Sequence, residues 1–267
     1  LCKDYSGMPV IPPFQPRTGT TFMGIVPVRG GSKGLRGKNM RTLGGKPLYR
    51  WVADAARASG VFQKITVMSD WPELLEDATR AGYDILHEPD ELAADGSYVT
   101  KAMAWACKVL GPTICGQEHP PYIQLLQATS PFLRPQDIQQ AASMIQELDA
   151  DMIVGLTPSE DPTAFTKIVP PDWSLSDWYP IEFRGKRRQD LPKTWSLNGY
   201  LYLAKWHIWA EEKDWWKSKI YGLPMSSADH VDIDTQEDFS YAEWRIKQKP
   251  GKVRSFCSTI RDLFFRD

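Results

Sequence analysis

From residue 22 onward, strand signals and helix signals take turns, and this alternation restricts the fold more than any other feature. "FMGIVPV" (22–28) reads as a buried strand. "PLYRWVADAARASG" (47–60) reads as a helix opened by Pro47 and closed by Gly60. "KITVMS", the helix "WPELLEDATRAG", the short strand "YDILHEP" and the helical "YVTKAMAWACKVLG" follow. "PYIQLLQATSP", the helix "PQDIQQAASMIQELDA" and the strand "DMIVGLTP" complete the series. A repeating βαβ order predicts an α/β fold with a mainly parallel sheet and helices on both faces. Ligands on such sheets bind beyond the carboxyl ends of the strands.

The rhythm breaks at 158–194, a stretch rich in Pro, Asp and Trp that reads as an irregular excursion from the sheet. "WSLNGYLYLAKWHIW" then restores a strand. "DHVDIDTQEDFSYAEWRIKQK" reads as a short strand followed by a helix, with Thr235 as N-cap and acids in its first turn. The chain divides into a loosely ordered leader (1–21), one catalytic-sized domain (22–250) and a short amphipathic tail (251–267).

Composition narrows the function classes. The chain is 42% hydrophobic and 24% charged, with a net charge of −1, so no global field attracts nucleic acid. No basic–aromatic groove pattern accompanies it either. No apolar run is long enough to span a membrane. Cys2, Cys107, Cys115 and Cys257 form no CxxC pair, which suits a reducing, cytoplasmic setting and argues against structural zinc. Trp206, Trp209, Trp215 and Trp216 read as packing residues of the core or of a dimer surface.

Against this balanced background, "VRGGSKGLRGKNMR" stands out. The first strand runs straight into glycines and into Arg29, Lys33, Arg36, Lys38 and Arg41, and no acid appears until Asp54. Glycine-rich turns after a first strand hold phosphates, because their backbone N–H groups can approach oxyanions. The P-loop pattern fails, since Gly37-Lys38 is followed by Asn39, and the dinucleotide pattern GxGxxG fails too. "GGSKG" is formally GxSxG, which would make Ser32 a hydrolase nucleophile with His230 as its base. A helix should follow such an elbow, yet Gly37, Gly44, Gly45 and Pro47 come next. The remaining readings are a polyanion site formed by Arg29, Lys33 and Lys38, or a solvated basic loop.

Three further stretches favour the polyanion site. "LLQATSPFLRPQD" places Gln127 at a strand end, with Thr129, Ser130 and Pro131 in a polar turn. "HVDIDTQED" alternates Asp232 and Asp234, so both carboxylates would project to one side. Magnesium favours one or two carboxylates plus substrate phosphate oxygens; a helix-capping cluster is the other reading. "SLNGYLYLA" leads Asn198-Gly199 into a strand, where a short polar side chain and bare backbone could face a substrate; an ordinary turn is the other reading.

Taken in order, "VPVRGGSKGLRGKN", "LGGKPL", "LLQATSP", "NGYLYLA" and "DIDTQEDF" resemble the sugar-acid cytidylyltransferases, and in particular the CMP-N-acetylneuraminate synthetase (acylneuraminate cytidylyltransferase) family. The resemblance covers residues 22–246. It implies a Rossmann-like, glycosyltransferase-A-type fold, CTP as co-substrate, Mg²⁺, and a homodimer built through the excursion at 158–194. It also implies roles. Arg29, Lys33 and Lys38 would grip the triphosphate, with Lys38 nearest the scissile bond. Gly30, Gly31, Ser32 and Asn39 would complete the nucleotide loop. Gln127, Thr129, Ser130, Arg188, Asn198 and Gly199 would face the sugar acid, and Asp232 and Asp234 would hold the metal. Arg29, Lys38 and Asp234 would carry catalysis. Three departures from the family pattern stand out. Glu88, in "EPDEL", replaces a nucleotide-facing Arg, "ADGSYV" (94–99) replaces a small-hydroxyl stretch, and Ser196 or Leu197 stands where an Arg precedes the Asn-Gly pair, leaving Arg187 or Arg188 to match a carboxylate-binding Arg. They keep three alternatives open: a related nonulosonic acid (legionaminic or pseudaminic), a different nucleoside triphosphate, or a non-catalytic nucleotide-binding module.

Overall fold

A computed structural model of the protein describes residues 11–31, 34–94, 98–114, 122–159, 165–166, 168–169, 171–176, 179–211, 214–227 and 230–248. The strands are β1 (Phe22–Pro27), β2 (Thr42–Leu43), β3 (Lys46–Pro47), β4 (Lys64–Ser69), β5 (Asp84–His87), β6 (Tyr122–Leu125), β7 (Met152–Pro158), β8 (Trp195–Lys205) and β9 (Ile220–Pro224). The helices are α1 (Leu48–Ser59), α2 (Pro72–Arg80), α3 (Asp90–Ala93), α4 (Val99–Ile114), α5 (Pro135–Glu147), α6 (Trp206–Ala210) and α7 (Gln236–Lys247). Seven strands form one sheet in the order β5-β4-β1-β6-β8-β7-β9. Every neighbouring pair is parallel except the two made by β8, which runs against β6 and β7. The expected mainly parallel sheet is therefore present, with one reversed strand inside it.

Period-2 alternation makes the sheet buried on both faces. Along β1, Phe22 and Val26 join the core beneath α1 and α5, while Met23 and Ile25 join the core beneath α4 and α6. Each such side chain contributes roughly 1.5–3 kcal/mol by leaving water. Helix ends follow their sequence signals. Pro47 caps α1, and Gly60 ends it in the left-handed conformation at φ 66°. Thr235 caps α7: its hydroxyl accepts from the Asp238 N–H, and the Asp238 carboxylate accepts from the Thr235 N–H.

The differences from expectation have local causes. Residues 230–234 form no strand; an extended segment is held instead by the Ile233 N–H donating to the Thr129 carbonyl at 3.0 Å. "KWHIW" leaves β8 and becomes α6, because its continuous apolar run does not separate a buried strand from a buried helix. The β2–β3 hairpin and the edge strand β9 are too short or too mixed to carry a period. Residues 11–20, expected as a loose leader, lie along α5. There the Ser143 hydroxyl donates to the Pro12 carbonyl at 2.7 Å, and Phe14 packs edge-on against Phe22. Residues 251–267 fall outside the described residues.

Topology places the site. After β1 the chain builds outward through β4 and β5, then returns to place β6 on the opposite side of β1. The loops leaving β1 and β6 thus diverge, opening a crevice at the carboxyl edge.

Candidate active site

The loop after β1 is tied down at both ends. Val28 N–H donates to the Met68 carbonyl at 2.8 Å, and Gly30 N–H to Asp70 Oδ1 at 2.7 Å. Gly30 and Gly31 are described, whereas Ser32 and Lys33 lie outside the described residues. The loop closes in a short 3₁₀ turn, Lys38–Met40, entered through Gly37 at φ 65°. That turn buries Lys38 and Asn39. A buried ammonium is tolerated only when paired. Lys38 Nζ donates to the Ile233 carbonyl at 2.6 Å and to Asp234 Oδ1 at 2.7 Å. Asn39 Nδ2 donates to the Arg29 carbonyl at 3.2 Å, which leaves its Oδ1 buried without a protein donor.

Asp232 and Asp234 arrive from the opposite wall. Val231 and Ile233 turn inward, so the alternating carboxylates face the crevice although no strand forms. Burial raises the Asp232 pKa, and the Asp234 charge adds to this; a hydrogen bond from Thr129 and the Lys38 charge oppose it. Gly34 lets the two walls meet. A Cβ there would sit 2.4 Å from the Asp234 carbonyl oxygen.

Arg29, Lys38, Asn39, Glu88, Gln127, Thr129, Asp232 and Asp234 line one cavity of about 330 Å³. Leu92, Val99 and Ala102 provide its apolar surface, with Tyr98 at the rim. Other residues expected at the site stand behind it or away from it. Ser130 is buried in the turn beneath, its N–H donating to the Gln127 carbonyl at 3.1 Å. Gly199, at φ 72°, forms the bulge where β8 loses register with β7, and its Cβ position faces Gln127 Nε2 at 3.8 Å. Asn198 is turned into the protein. Its Oδ1 accepts from the Tyr200 N–H at 3.0 Å, filling a bond the bulge removes from the ladder, and its Nδ2 contacts Met225 Sδ at 3.1 Å. Arg188 is exposed on a 3₁₀ turn outside the cavity lining. His230 engages the Asn198 carbonyl at 2.9 Å and also lies outside that lining.

Of two further carboxyl groups here, Asp70 went unnoticed in the sequence and Glu88 was noted only as a departure from the family pattern. Asp70 anchors Gly30; its place directly after β4 put it on the same edge and could have revealed it. Glu88 is 3% exposed, and burial, the neighbouring Asp70 charge and, in opposition, Arg29 bring its pKa to about 7.

Known proteins share the sequence family and the fold. A family model described as cytidylyltransferase matches residues 23–170. The chain belongs to the cytidylyltransferase family. Among family relatives, an N-acylneuraminate cytidylyltransferase of Streptococcus agalactiae is 31% identical over 86% of this chain and 55% of its own length. The chain thus spans about half the length of the first curated relatives it matches. A pseudaminic acid cytidylyltransferase of Campylobacter jejuni is 28% identical over 82% of this chain and 93% of its own. In fold, the chain is similar to a CMP:2-keto-3-deoxy-manno-octonic acid synthetase complexed with CTP. The TM-score is 0.63 at 15% identity, over 86% of this chain and 99% of that one.

Proposed function

We propose that this cytidylyltransferase transfers CMP from CTP to a 2-keto sugar acid of the nonulosonic class, releasing pyrophosphate. One observation carries the reading: two cations, Arg29 and Lys38, and three carboxyl groups, Glu88, Asp232 and Asp234, meet in a single cavity at the switch point of the sheet. The anomeric hydroxyl forms the new bond to the α-phosphorus while the bond from that phosphorus to the bridging oxygen of pyrophosphate breaks. The barrier to such a transfer is met by positioning and charge neutralisation. Arg29 and Lys38 hold the triphosphate, Lys33 adds to them, and Gly31 and Ser32 offer backbone donors, while the Gly30 N–H is spent on Asp70 and shapes the loop. Lys38 lies against the scissile phosphate, held there by Asp234. Asn39 gives its unpartnered oxygen to a nucleotide hydroxyl. Gln127 and Thr129 face the sugar acid, with Ser130 and Gly199 supporting them from behind.

The donor set fits Mg²⁺. Asp232 and Asp234 supply hard oxygen atoms in one cavity and repel each other, an arrangement that a divalent cation relieves. Bound there, the ion would neutralise phosphate charge and lower the pKa of the attacking hydroxyl. The domain spans 22–250, and the excursion at 158–194 builds a homodimer. Its exposed Ile168, Trp173, Leu175 and Ile181 support that reading. We place the protein in the cytoplasm, in keeping with a free, buried Cys107 and with the lack of any helix long and apolar enough to cross a membrane among the described residues.

Pyrophosphate release with Mg²⁺, using CTP, UTP, ATP and GTP against a panel of nonulosonic acids and Kdo, tests the assignment. CTP-dependent release with one acid establishes it. Silence across the panel with CTP still bound in calorimetry favours a nucleotide-binding module, and absence of binding removes the nucleotide reading.

A further inference from the structure

The cavity has two chemically different ends. The charges that act on Asp232 are those of Asp234, Lys38 and His230. Those that act on Glu88 are Asp70 and Arg29. The strand order sets them apart: Glu88 follows β5, the Asp232–Asp234 segment is fastened to Thr129 after β6, and Arg29 leaves β1 between them. The end with Lys38, Asp232 and Asp234 suits phosphates. The other end is formed by α3 and the first turn of α4, where Leu92, Val99 and Ala102 supply apolar surface. A flat heterocycle matches such a wall, and a triphosphate does not.

Glu88 is the polar group of that end. It follows β5, its N–H is committed to the Ser69 carbonyl at 2.9 Å, and it is almost wholly buried. No hydrogen bond reaches its carboxyl from the described residues. Its side chain lines the cavity, so the carboxyl is left open to whatever enters there. Asp70 differs, because it already accepts from Gly30.

We infer that Glu88 is the group that reads the nucleobase and that it does so as a neutral acid. Its O–H donates to a ring nitrogen and its C=O accepts from the adjacent exocyclic amine, two parallel bonds that match the cytosine edge at N3 and N4. The inference rests on the CTP reading above. The burial and Asp70 charge that hold Glu88 near half-protonation at neutral pH make this form accessible. Ionised, the carboxylate would face the N3 lone pair and lose one bond to repulsion. Binding of CTP should therefore draw a proton from solvent onto Glu88 above neutral pH.

Isothermal calorimetry on the full chain tests this, with CTP titrated in buffers of different ionisation heat between pH 6.5 and 8.5. The wild type is expected to take up a proton at pH 8 and to lose affinity on the order of tenfold across that range, as linkage to a group titrating near 7 requires. Glu88→Gln keeps one donor and one acceptor at the same place. It should bind CTP with a pH-insensitive affinity and without that proton. Inorganic triphosphate, which has no base, should show no difference between the two proteins. The same proton uptake in Glu88→Gln, or an equal difference with inorganic triphosphate, overturns the inference while leaving CTP binding intact. Failure of CTP to bind either protein overturns the CTP reading itself. If Glu88→Gln proves unfolded by circular dichroism, the wild-type contrast between CTP and inorganic triphosphate decides: uptake with CTP alone supports base reading, and equal uptake with both overturns it.

Discussion

At the scale of single residues, the site sets two buried charged groups, Lys38 and Glu88, beside the exposed Arg29, Asp232 and Asp234. Lys38 is held by one carboxylate and one carbonyl, so its ammonium is fixed before substrate arrives. Lys38→Ala should lower turnover by roughly 100- to 1000-fold, the usual loss when one preorganised donor is removed. Its circular dichroism should be unchanged, and an active variant would move the catalytic charge elsewhere. Glu88 makes a prediction about stability. Its pKa rises from an ordinary 4.5 to about 7, chiefly through burial. The native state then holds a proton that the unfolded chain gives up, so folding stability falls as pH rises through that window. The cost at pH 8 is about 3 kcal/mol. Glu88→Gln should raise the melting temperature at pH 8 and leave it nearly unchanged at pH 4; equal melting curves at pH 8 would show that the carboxyl is better solvated than its burial indicates. That Lys38, Asp232 and Asp234 would share one site was legible in the sequence, because charge against a balanced background and alternation along 231–234 need no tertiary knowledge, and the three line one cavity. Glu88 was visible only as a departure from a family pattern. Its burial depends on α3 and α4 folding over it, which no local signal records.

At the scale of elements, close approach decides what works. The loop after β1 meets the 232–234 segment at Gly34, where backbone faces backbone. Gly34→Ala should push the two walls apart and separate Lys38 from Asp234. We expect at least a tenfold fall in kcat/KM, with a smaller change in melting temperature; full activity would mean the walls move independently. Helices α1, α2, α5 and α7 were readable because their starts and stops carry Pro, Gly or Thr signals. Asn198-Gly199 shows the opposite case. Asn-Gly reads as a turn, yet here Gly199 supplies a bulge inside a long strand and Asn198 repairs the ladder. Whether such a pair ends a strand or bends it is set by the neighbouring strand β7.

At the scale of the whole molecule, the sheet sorts the charged cavity residues to one edge, and the excursion leaves several apolar side chains in water. Ile168 is 97% and Trp173 78% exposed, more than a solitary domain usually leaves in water. Sedimentation at micromolar concentration should give twice the monomer mass, and Ile168→Asp combined with Ile181→Asp should shift the protein toward monomer. A dimer that survives both changes would place the interface elsewhere. The mainly parallel sheet was legible from the βαβ order. The reversed β8 was not, because orientation depends on the path taken through 158–194, and irregular chain carries no period.

That reversal has a consequence for how the molecule could change over time. β7 ends and β8 begins at the same rim, where Pro158 pairs with Trp195 and the Ser159 N–H donates to the Thr194 carbonyl at 2.9 Å. The excursion is thus a detour whose two ends are already fastened together by the sheet. The entropy of closing such a detour grows only slowly with its length. It can lengthen, shorten or be exchanged without disturbing the strands, and whatever it becomes will hang from the carboxyl end of β7. On the dimer reading proposed above, self-association can therefore drift in this segment while the cavity, which takes no lining residue from it, stays as it is.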